Sequence, residues 1–182
     1  AASLETKNAC TQCDAGKTST AGASTCTDCV AGRFSASSDT HCRKCDAGKY
    51  STVSGANSAA TCIDCVAGKY SYTPGANSGS VCKDCTGDTS SAAGAHQCLC
   101  KKGKFSTTPG VNCKTCPAGQ YSARGDVTCT PCDAGKANPN TGQDVAACGG
   151  CVAGRYSAPG AQSCTQCVPG KYSGTGAEIC TP

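Results

Sequence analysis

The residues of this sequence most able to do chemistry are its 21 cysteines, nearly all of which stand in C-x-x-C pairs. Paired thiols can hold a zinc ion, exchange electrons in a redox motif, or cross-link the chain as disulfides. The first cysteines of successive pairs recur every 15 to 20 residues, at Cys10, Cys26, Cys42, Cys62, Cys82, Cys98, Cys113, Cys129, Cys148, Cys164 and Cys180. A period this short is typical of tandem repeats that stack on their neighbours.

Composition favours disulfides over the other two chemistries. Leu, Ile, Val and Phe together make up only 15 of 182 residues, so hydrophobic burial is not the main source of order. Closing each loop between pairs would add roughly 3 kcal/mol of stability in the chain-entropy model. We therefore interpret as structural disulfide cysteines the first cysteines given above and their partners in the pairs, Cys13, Cys29, Cys45, Cys65, Cys85, Cys100, Cys116, Cys132, Cys151 and Cys167. Such density predicts a secreted, extracellular or cell-surface protein.

The segments between the pairs must position these cysteines, and most of them read C-x-A-G-K-Y-S followed by Gly, Ala, Ser and Thr. The glycine predicts a positive φ or a close approach of two chain segments. The Gly-containing stretch beyond the aromatic predicts a turn, which returns the chain to the next cysteine as a short hairpin. The predicted fold class is small disulfide-rich repeats: an elongated linear array of short β-hairpin-like modules with little helix and minimal hydrophobic core.

When the repeats are aligned on their cysteines, two further positions keep one type of side chain. Aromatic rings recur at one position, where we expect them to cover the disulfides: Phe34, Tyr50, Tyr70, Phe105, Tyr121, Tyr156 and Tyr172. A cation precedes this position in most repeats and forms a candidate edge for binding a partner, with a solvated edge as the plainer alternative: Lys17, Arg33, Lys49, Lys69, Lys104, Lys136, Arg155 and Lys171.

The whole chain divides simply under this interpretation. Residues 1–9 are a lead-in from an upstream repeat, and residues 10–182 hold about ten units of 15 to 20 residues, the last one truncated. Because Cys180 lacks the second cysteine that earlier pairs possess, we expect the chain to be a window on a longer array.

At these residues the chain resembles the ephrin-receptor-like cysteine-rich repeat, C-x-x-C-x-x-G-x-Y-S-x-x-G-A-x-x-C, which is related to the tumour-necrosis-factor-receptor and growth-factor-receptor cysteine-rich modules. Similar arrays occur in large surface and filament proteins of protists. The tighter pair Cys98-Leu99-Cys100 looks like the C-x-C of an EGF-like unit and argues against bridges within a pair, since that ring would be strained.

Two pairings remain open. In one, each second cysteine bonds to the next first cysteine, from Cys13–Cys26 to Cys167–Cys180, and Cys10 is left for an upstream partner. The other is an interleaved scheme like the EGF pattern, with bridges such as Cys65–Cys85, Cys82–Cys98 and Cys100–Cys113.

Other functions have little support in the sequence. The zinc and thioredoxin-type interpretations lack supporting polar residues and a helix within an α/β sheet, and His41 and His96 have no recognisable catalytic partners. Arg124-Gly125-Asp126 matches an integrin-binding tripeptide, but Gly125 fills a turn position that sibling repeats also give to glycine. A net charge of +4 without a dense basic run argues against nucleic-acid binding. We predict no enzyme activity, no catalytic or metal-binding residue and no cofactor.

The predicted function is structural: a segment of a disulfide-stapled array that forms a cell-surface stalk or extracellular filament. The alternative is the ligand-binding cysteine-rich ectodomain of a cell-surface receptor. Expected partners are other copies of the chain, other surface proteins or glycans, with no nucleic acid and no membrane span in this segment. Ser and Thr number 40, and no N-x-[ST] sequon occurs, so any attached sugars are expected to be O-linked.

Overall fold

The structure, a computed structural model, describes residues 12–37 and 39–182; the predicted lead-in at residues 1–9 and Cys10 lie outside the described residues. Each second cysteine of a pair bonds to the first cysteine of the next pair, which is the first of the two pairings that the sequence left open. The bonds are Cys13–Cys26, Cys29–Cys42, Cys45–Cys62, Cys65–Cys82, Cys85–Cys98, Cys100–Cys113, Cys116–Cys129, Cys132–Cys148, Cys151–Cys164 and Cys167–Cys180. We number the modules 1 to 10 in this order and call the two cysteines of each bond the opening and the closing cysteine.

Modules 1 to 9 each form an antiparallel hairpin whose two strands have two residues each. The first strand follows the glycine near the opening cysteine, and the second strand follows the closing cysteine. In chain order the pairs are β1 Lys17–Thr18 with β2 Thr27–Asp28, β3 Arg33–Phe34 with β4 Arg43–Lys44, β5 Lys49–Tyr50 with β6 Ile63–Asp64, β7 Lys69–Tyr70 with β8 Lys83–Asp84, β9 Thr89–Ser90 with β10 Leu99–Cys100, β11 Lys104–Phe105 with β12 Lys114–Thr115, β13 Gln120–Tyr121 with β14 Thr130–Pro131, β15 Lys136–Ala137 with β16 Gly149–Gly150, and β17 Arg155–Tyr156 with β18 Thr165–Gln166. In module 10 a single bridge joins Tyr172 to Thr181.

The three longest loops contain the extra residues as single 3₁₀ turns. These turns span Ala59–Thr61, Gly79–Val81 and Val145–Ala147, in modules whose disulfides close over 17, 17 and 16 residues rather than 13. Ser58, Ser78 and Asp144 cap them by accepting a hydrogen bond from the backbone N–H two residues on. An insertion therefore brings its own capped turn and leaves the paired strands unchanged.

The chain folds as two compact units. The first runs to Asp84 and includes Ala92–Gln97, and the second comprises Cys85–Ser91 and Cys98–Pro182. The predicted class, small disulfide-rich hairpin modules with little helix and a minimal hydrophobic core, is confirmed.

Within each unit, backbone hydrogen bonds join successive modules in the same way. The N–H of the turn glycine donates to the carbonyl of the preceding module's opening cysteine, for example from Gly55 to Cys29 at 2.7 Å and from Gly142 to Cys116 at 2.8 Å. These bonds satisfy backbone groups that two-residue strands leave unpaired. The same backbone hydrogen bond thus recurs between successive modules of a unit, as the disulfide and the hairpin recur within each module.

Within each unit, most modules that have a second neighbour also touch the module two places further on. Gly119, in module 7, has a φ of +81°, and a Cβ atom built on it would lie 2.0 Å from the carbonyl oxygen of Gly160, in module 9. The same close approach joins Gly16 to Gly55 and Gly103 to Gly142. The glycine after the opening cysteine therefore has both features predicted from the sequence, a left-handed backbone and a close approach to another chain segment.

Replacing Gly119 tests this second-neighbour contact, with Gly154 as the matched control. Gly154 also has a positive φ, +80°, but a Cβ there would meet no described atom within 4 Å. We expect Gly154→Ala to cost about 1–2 kcal/mol from the left-handed backbone alone. Gly119→Ala should cost roughly 1–3 kcal/mol more, because the new methyl overlaps backbone. Guanidinium unfolding with intact disulfides measures both, and equal losses would contradict the contact.

Candidate functional site

The opening cysteines form a row of mostly buried sulfur atoms along the chain. Seven of them are almost completely inaccessible, at 0–2% exposure: Cys29, Cys45, Cys65, Cys100, Cys116, Cys132 and Cys151. The closing cysteines are half-buried. One sulfur of each of these bridges therefore lies in the interior, where the surrounding chain shields it from thiol attack.

A row of serines shares this interior with the sulfur atoms. The serine that follows the aromatic position is buried in most modules, at 0–9% exposure: Ser35, Ser51, Ser71, Ser91, Ser122, Ser157 and Ser173. Asn138, with 0% exposure, takes the same place in module 8. Among the described residues, no buried side-chain nitrogen or oxygen lacks a hydrogen-bond partner. The interior is thus polar, and its described side-chain polar atoms have hydrogen-bond partners.

Ser122 shows how such a residue joins three modules. Its backbone N–H donates to Gln143 O in module 8 at 3.2 Å, and its carbonyl accepts from Gly103 N in module 6 at 3.0 Å. Its hydroxyl donates to Lys104 O, also in module 6, at 3.0 Å. Ser157 makes the equivalent hydroxyl bond to Lys136 O at 2.9 Å. Within each unit, serines of this row therefore connect successive modules.

No role was predicted for these serines from the sequence. Their signal was present, because serine follows the aromatic in nearly every repeat while the residues beyond it vary. It was missed because serine is usually a surface residue and a hydroxyl gives no sign of its partner.

The aromatic row lies at the boundary of the interior. Its first six members are half-buried, whereas Tyr172 is 67% exposed. A Cβ on Gly79, in module 4, would lie 3.0 Å from the Tyr50 ring of module 3, so this ring also covers its neighbour's loop. On the outer side of Phe34, the Arg43 guanidinium lies 5.5 Å from the ring centroid. Ring cover of the disulfides themselves stays a prediction.

Most head groups of the cation row are bonded within the molecule. Three lysines form ion pairs with an aspartate of the opposite strand: Lys17 with Asp28 at 2.7 Å, Lys49 with Asp64 at 2.6 Å, and Lys69 with Asp84 at 2.6 Å. Lys104 and Lys136 pair with Asp88 and Asp133, and Arg33 and Arg155 donate to the carbonyls of their closing cysteines. The hydrogen bond to Asp28 raises the pKa of Lys17, as Asp133 does for Lys136. These exposed pairs contribute little stability but neutralise much of the edge.

The Arg-Gly-Asp tripeptide forms the turn of module 7. Gly125 has a φ of +86° and donates its N–H to Cys100 O at 3.0 Å, so it occupies the ordinary turn-glycine position. The Asp126 carboxylate accepts the Ala123 N–H at 2.7 Å, which closes the turn. Arg124 alone projects without a hydrogen bond or ion pair to any residue that the structure describes.

The remaining candidate groups stand apart. His41 and His96 are exposed loop residues, and Nδ1 of the His41 ring lies 3.2 Å from the adjacent Thr40 hydroxyl. Over residues 12–37 and 39–182, no group of three or more His, Cys, Asp or Glu side chains could hold a metal ion. In the same part of the chain, no helix has the length and apolar character needed to cross a membrane.

No protein-family model matches the chain, and no curated protein does. The chain is established as a tandem array of cysteine-rich hairpin modules.

Removing the Ser122 hydroxyl tests the polar interior. We expect Ser122→Ala to destabilise the junction of modules 6 and 7 by about 1–2 kcal/mol, since the partly buried Lys104 carbonyl loses its donor. Hydrogen exchange of the Gly103 amide, which donates to Ser122 O, should then accelerate roughly five- to thirtyfold.

Ser163→Ala is the control, because Ser163 is exposed in the loop of module 9 of the same unit. It should leave exchange at Gly103 unchanged. If both variants behave like the wild type, the serine row does not stabilise the junctions.

Proposed function

We propose that this chain is a non-enzymatic structural segment of an extracellular protein, part of a longer array that forms a cell-surface stalk or an extracellular filament. The observation that carries the proposal is the junction around Ser122, where one residue bonds to the modules on both sides. The same three groups, a turn glycine, an opening cysteine and a buried serine, recur in module after module. A protein built this way gains length by adding modules and needs no other core.

The module type that fits best is the ephrin-receptor-like repeat. The C-x-x-C pair, the glycine, the aromatic, the serine and the turn glycine of that pattern each have a distinct structural place in this chain. The same chemistry supports an extracellular, secreted location, because a density of ten disulfides is typical of an oxidising compartment.

Partners of such a segment would be further copies of the chain, other surface proteins, or glycans. O-linked sugars would attach to the exposed loops, because the serine row is buried and unavailable to a transferase. Neutralised lysines such as Lys17, Lys49 and Lys69 give long parts of the edge little net charge, which suits a spacer.

A receptor ectodomain is the second candidate, and one observation favours it. Modules 6 and 7 depart from the repeat by placing Lys101, Lys102 and Arg124 around one cleft. Receptors bind through non-equivalent modules, whereas a pure spacer has no use for such a departure.

Reduction tests the structural basis of the proposal. The oxidised chain should resist trypsin despite its 16 Lys and Arg residues, because hairpins closed by disulfides hold these sites in fixed turns. After reduction and alkylation we expect digestion to limit peptides, since each lost bridge removes roughly 3 kcal/mol. Mass spectrometry of the two digests is the measurement, with unreduced, alkylated chain as control. Unchanged protease resistance after reduction would refute the proposal.

Negative-stain microscopy distinguishes the two candidates. A structural segment should assemble into regular fibres as the concentration of purified chain rises, because modules that bond to their neighbours within one chain can bond in the same way between chains. Monodisperse particles that capture a soluble ligand would instead support the receptor.

A further inference from the structure

One cleft of the second unit is lined by cations from two successive modules. It has a volume of about 730 Å³ and is lined by Ser90, Lys101, Lys102, Ala123 and Arg124. The three charged side chains are all exposed. We refer to Lys101, Lys102 and Arg124 as the basic cleft.

All three cations are departures from the repeat. After the opening cysteine most siblings carry Val or Asp and then Ala, as in Val152-Ala153, where module 6 has Lys101-Lys102. Before the turn glycine siblings carry Ser54, Pro74 or Pro159, where module 7 has Arg124. Three independent departures therefore meet at one place, although the repeat requires a cation at none of them.

The inter-module bonding holds these departures together. Gly125, next to Arg124, donates its N–H to the carbonyl of Cys100, the residue before Lys101, at 3.0 Å. A Cβ on Gly125 would lie 2.8 Å from Leu99 Cδ1, so the turn rests directly on β10. The Lys101 N–H donates to Asp88 O at 2.9 Å. The backbone beneath the cations is thus fixed before any ligand arrives.

Two of the three cations, Lys101 and Arg124, have no carboxylate partner among the described residues. Lys101 Nζ donates only to the neutral Gly87 carbonyl, at 2.8 Å, and Arg124 bonds to no described residue. Lys102 Nζ makes a 3.3 Å ion pair with Asp144 in which the lysine stays 69% exposed. Of the other nearby carboxylates, Asp88 pairs with Lys104, and Asp126 accepts the Ala123 N–H, which holds its carboxylate in the turn without neutralising it. The cleft keeps a positive field that attracts oxyanions.

We propose that the basic cleft binds an anionic polysaccharide through its sulfate or carboxylate groups. Arg124 offers a planar guanidinium for bidentate contact with an oxyanion, and the two lysines supply point charges beside it. The cleft has no aromatic lining on which a nucleobase could stack, which argues against a nucleic acid. The choice of a glycan rests on the proposed extracellular location, but not on the proposed structural role.

Calorimetric titration with a sulfated decasaccharide tests the site. Binding should weaken as NaCl rises, because exposed charges are screened. The triple variant Lys101→Gln, Lys102→Gln, Arg124→Gln should weaken binding at least tenfold. The control triple Lys44→Gln, Lys83→Gln, Lys114→Gln removes the same charge at exposed positions outside the cleft and outside the cation row, and should change binding less than twofold. Non-reducing peptide mapping of each variant verifies that its disulfides are intact.

Three results would overturn the proposal: equal loss in both triples, no binding of the sulfated decasaccharide by the wild type at low salt, or tighter binding of polyphosphate or a single-stranded oligonucleotide of matched charge. An uncharged dextran of the same length should not bind. Because titration measures neither assembly nor protease resistance, failure here is distinguishable from failure of the structural role.

Discussion

The covalent bond between opening and closing cysteines is the constraint on which the rest of the structure depends. Strands of two residues are far below the length that pairs independently in water. Each disulfide holds the ends of its loop with their Cα atoms 5.6–5.8 Å apart, so the few backbone bonds of the hairpin form within an already closed ring. The turn that results is then rigid enough for its glycine N–H to meet a carbonyl of the preceding module.

That geometry explains why the interior is made of sulfur and hydroxyl groups instead of hydrocarbon. Where the turn glycines and the glycines beside the opening cysteines meet, backbone approaches backbone and leaves no room for a large side chain. A serine fits this space and donates a hydrogen bond to a partly buried carbonyl. Bulkier groups, the aromatic rings and the long cationic stems, remain at the margin.

Repetition is what made much of this fold predictable. A position that keeps its residue type across ten modules carries a shared constraint, and for cysteine and glycine the constraint is chemically unambiguous, so the hairpins and their turns followed. The pairing did not follow, because bonds such as Cys82–Cys98 and Cys65–Cys82 both satisfy the spacing. The role of Ser122 and the Asp64 partner of Lys49 depend on contacts across modules or strands, which one sequence does not reveal. The basic cleft was not predicted for the converse reason, since its three cations stand where the repeats differ instead of where they agree.

The small share of hydrocarbon in the interior has a thermodynamic consequence. Apolar surface exposed on unfolding raises the heat capacity, whereas polar surface lowers it. A chain whose buried positions are held largely by serine and cystine, with only a few alanines such as Ala56 and Ala76, must therefore have an unusually small heat-capacity increment per residue. Its free energy of unfolding then varies almost linearly with temperature instead of passing through a pronounced maximum, and cooling towards freezing does not weaken the fold.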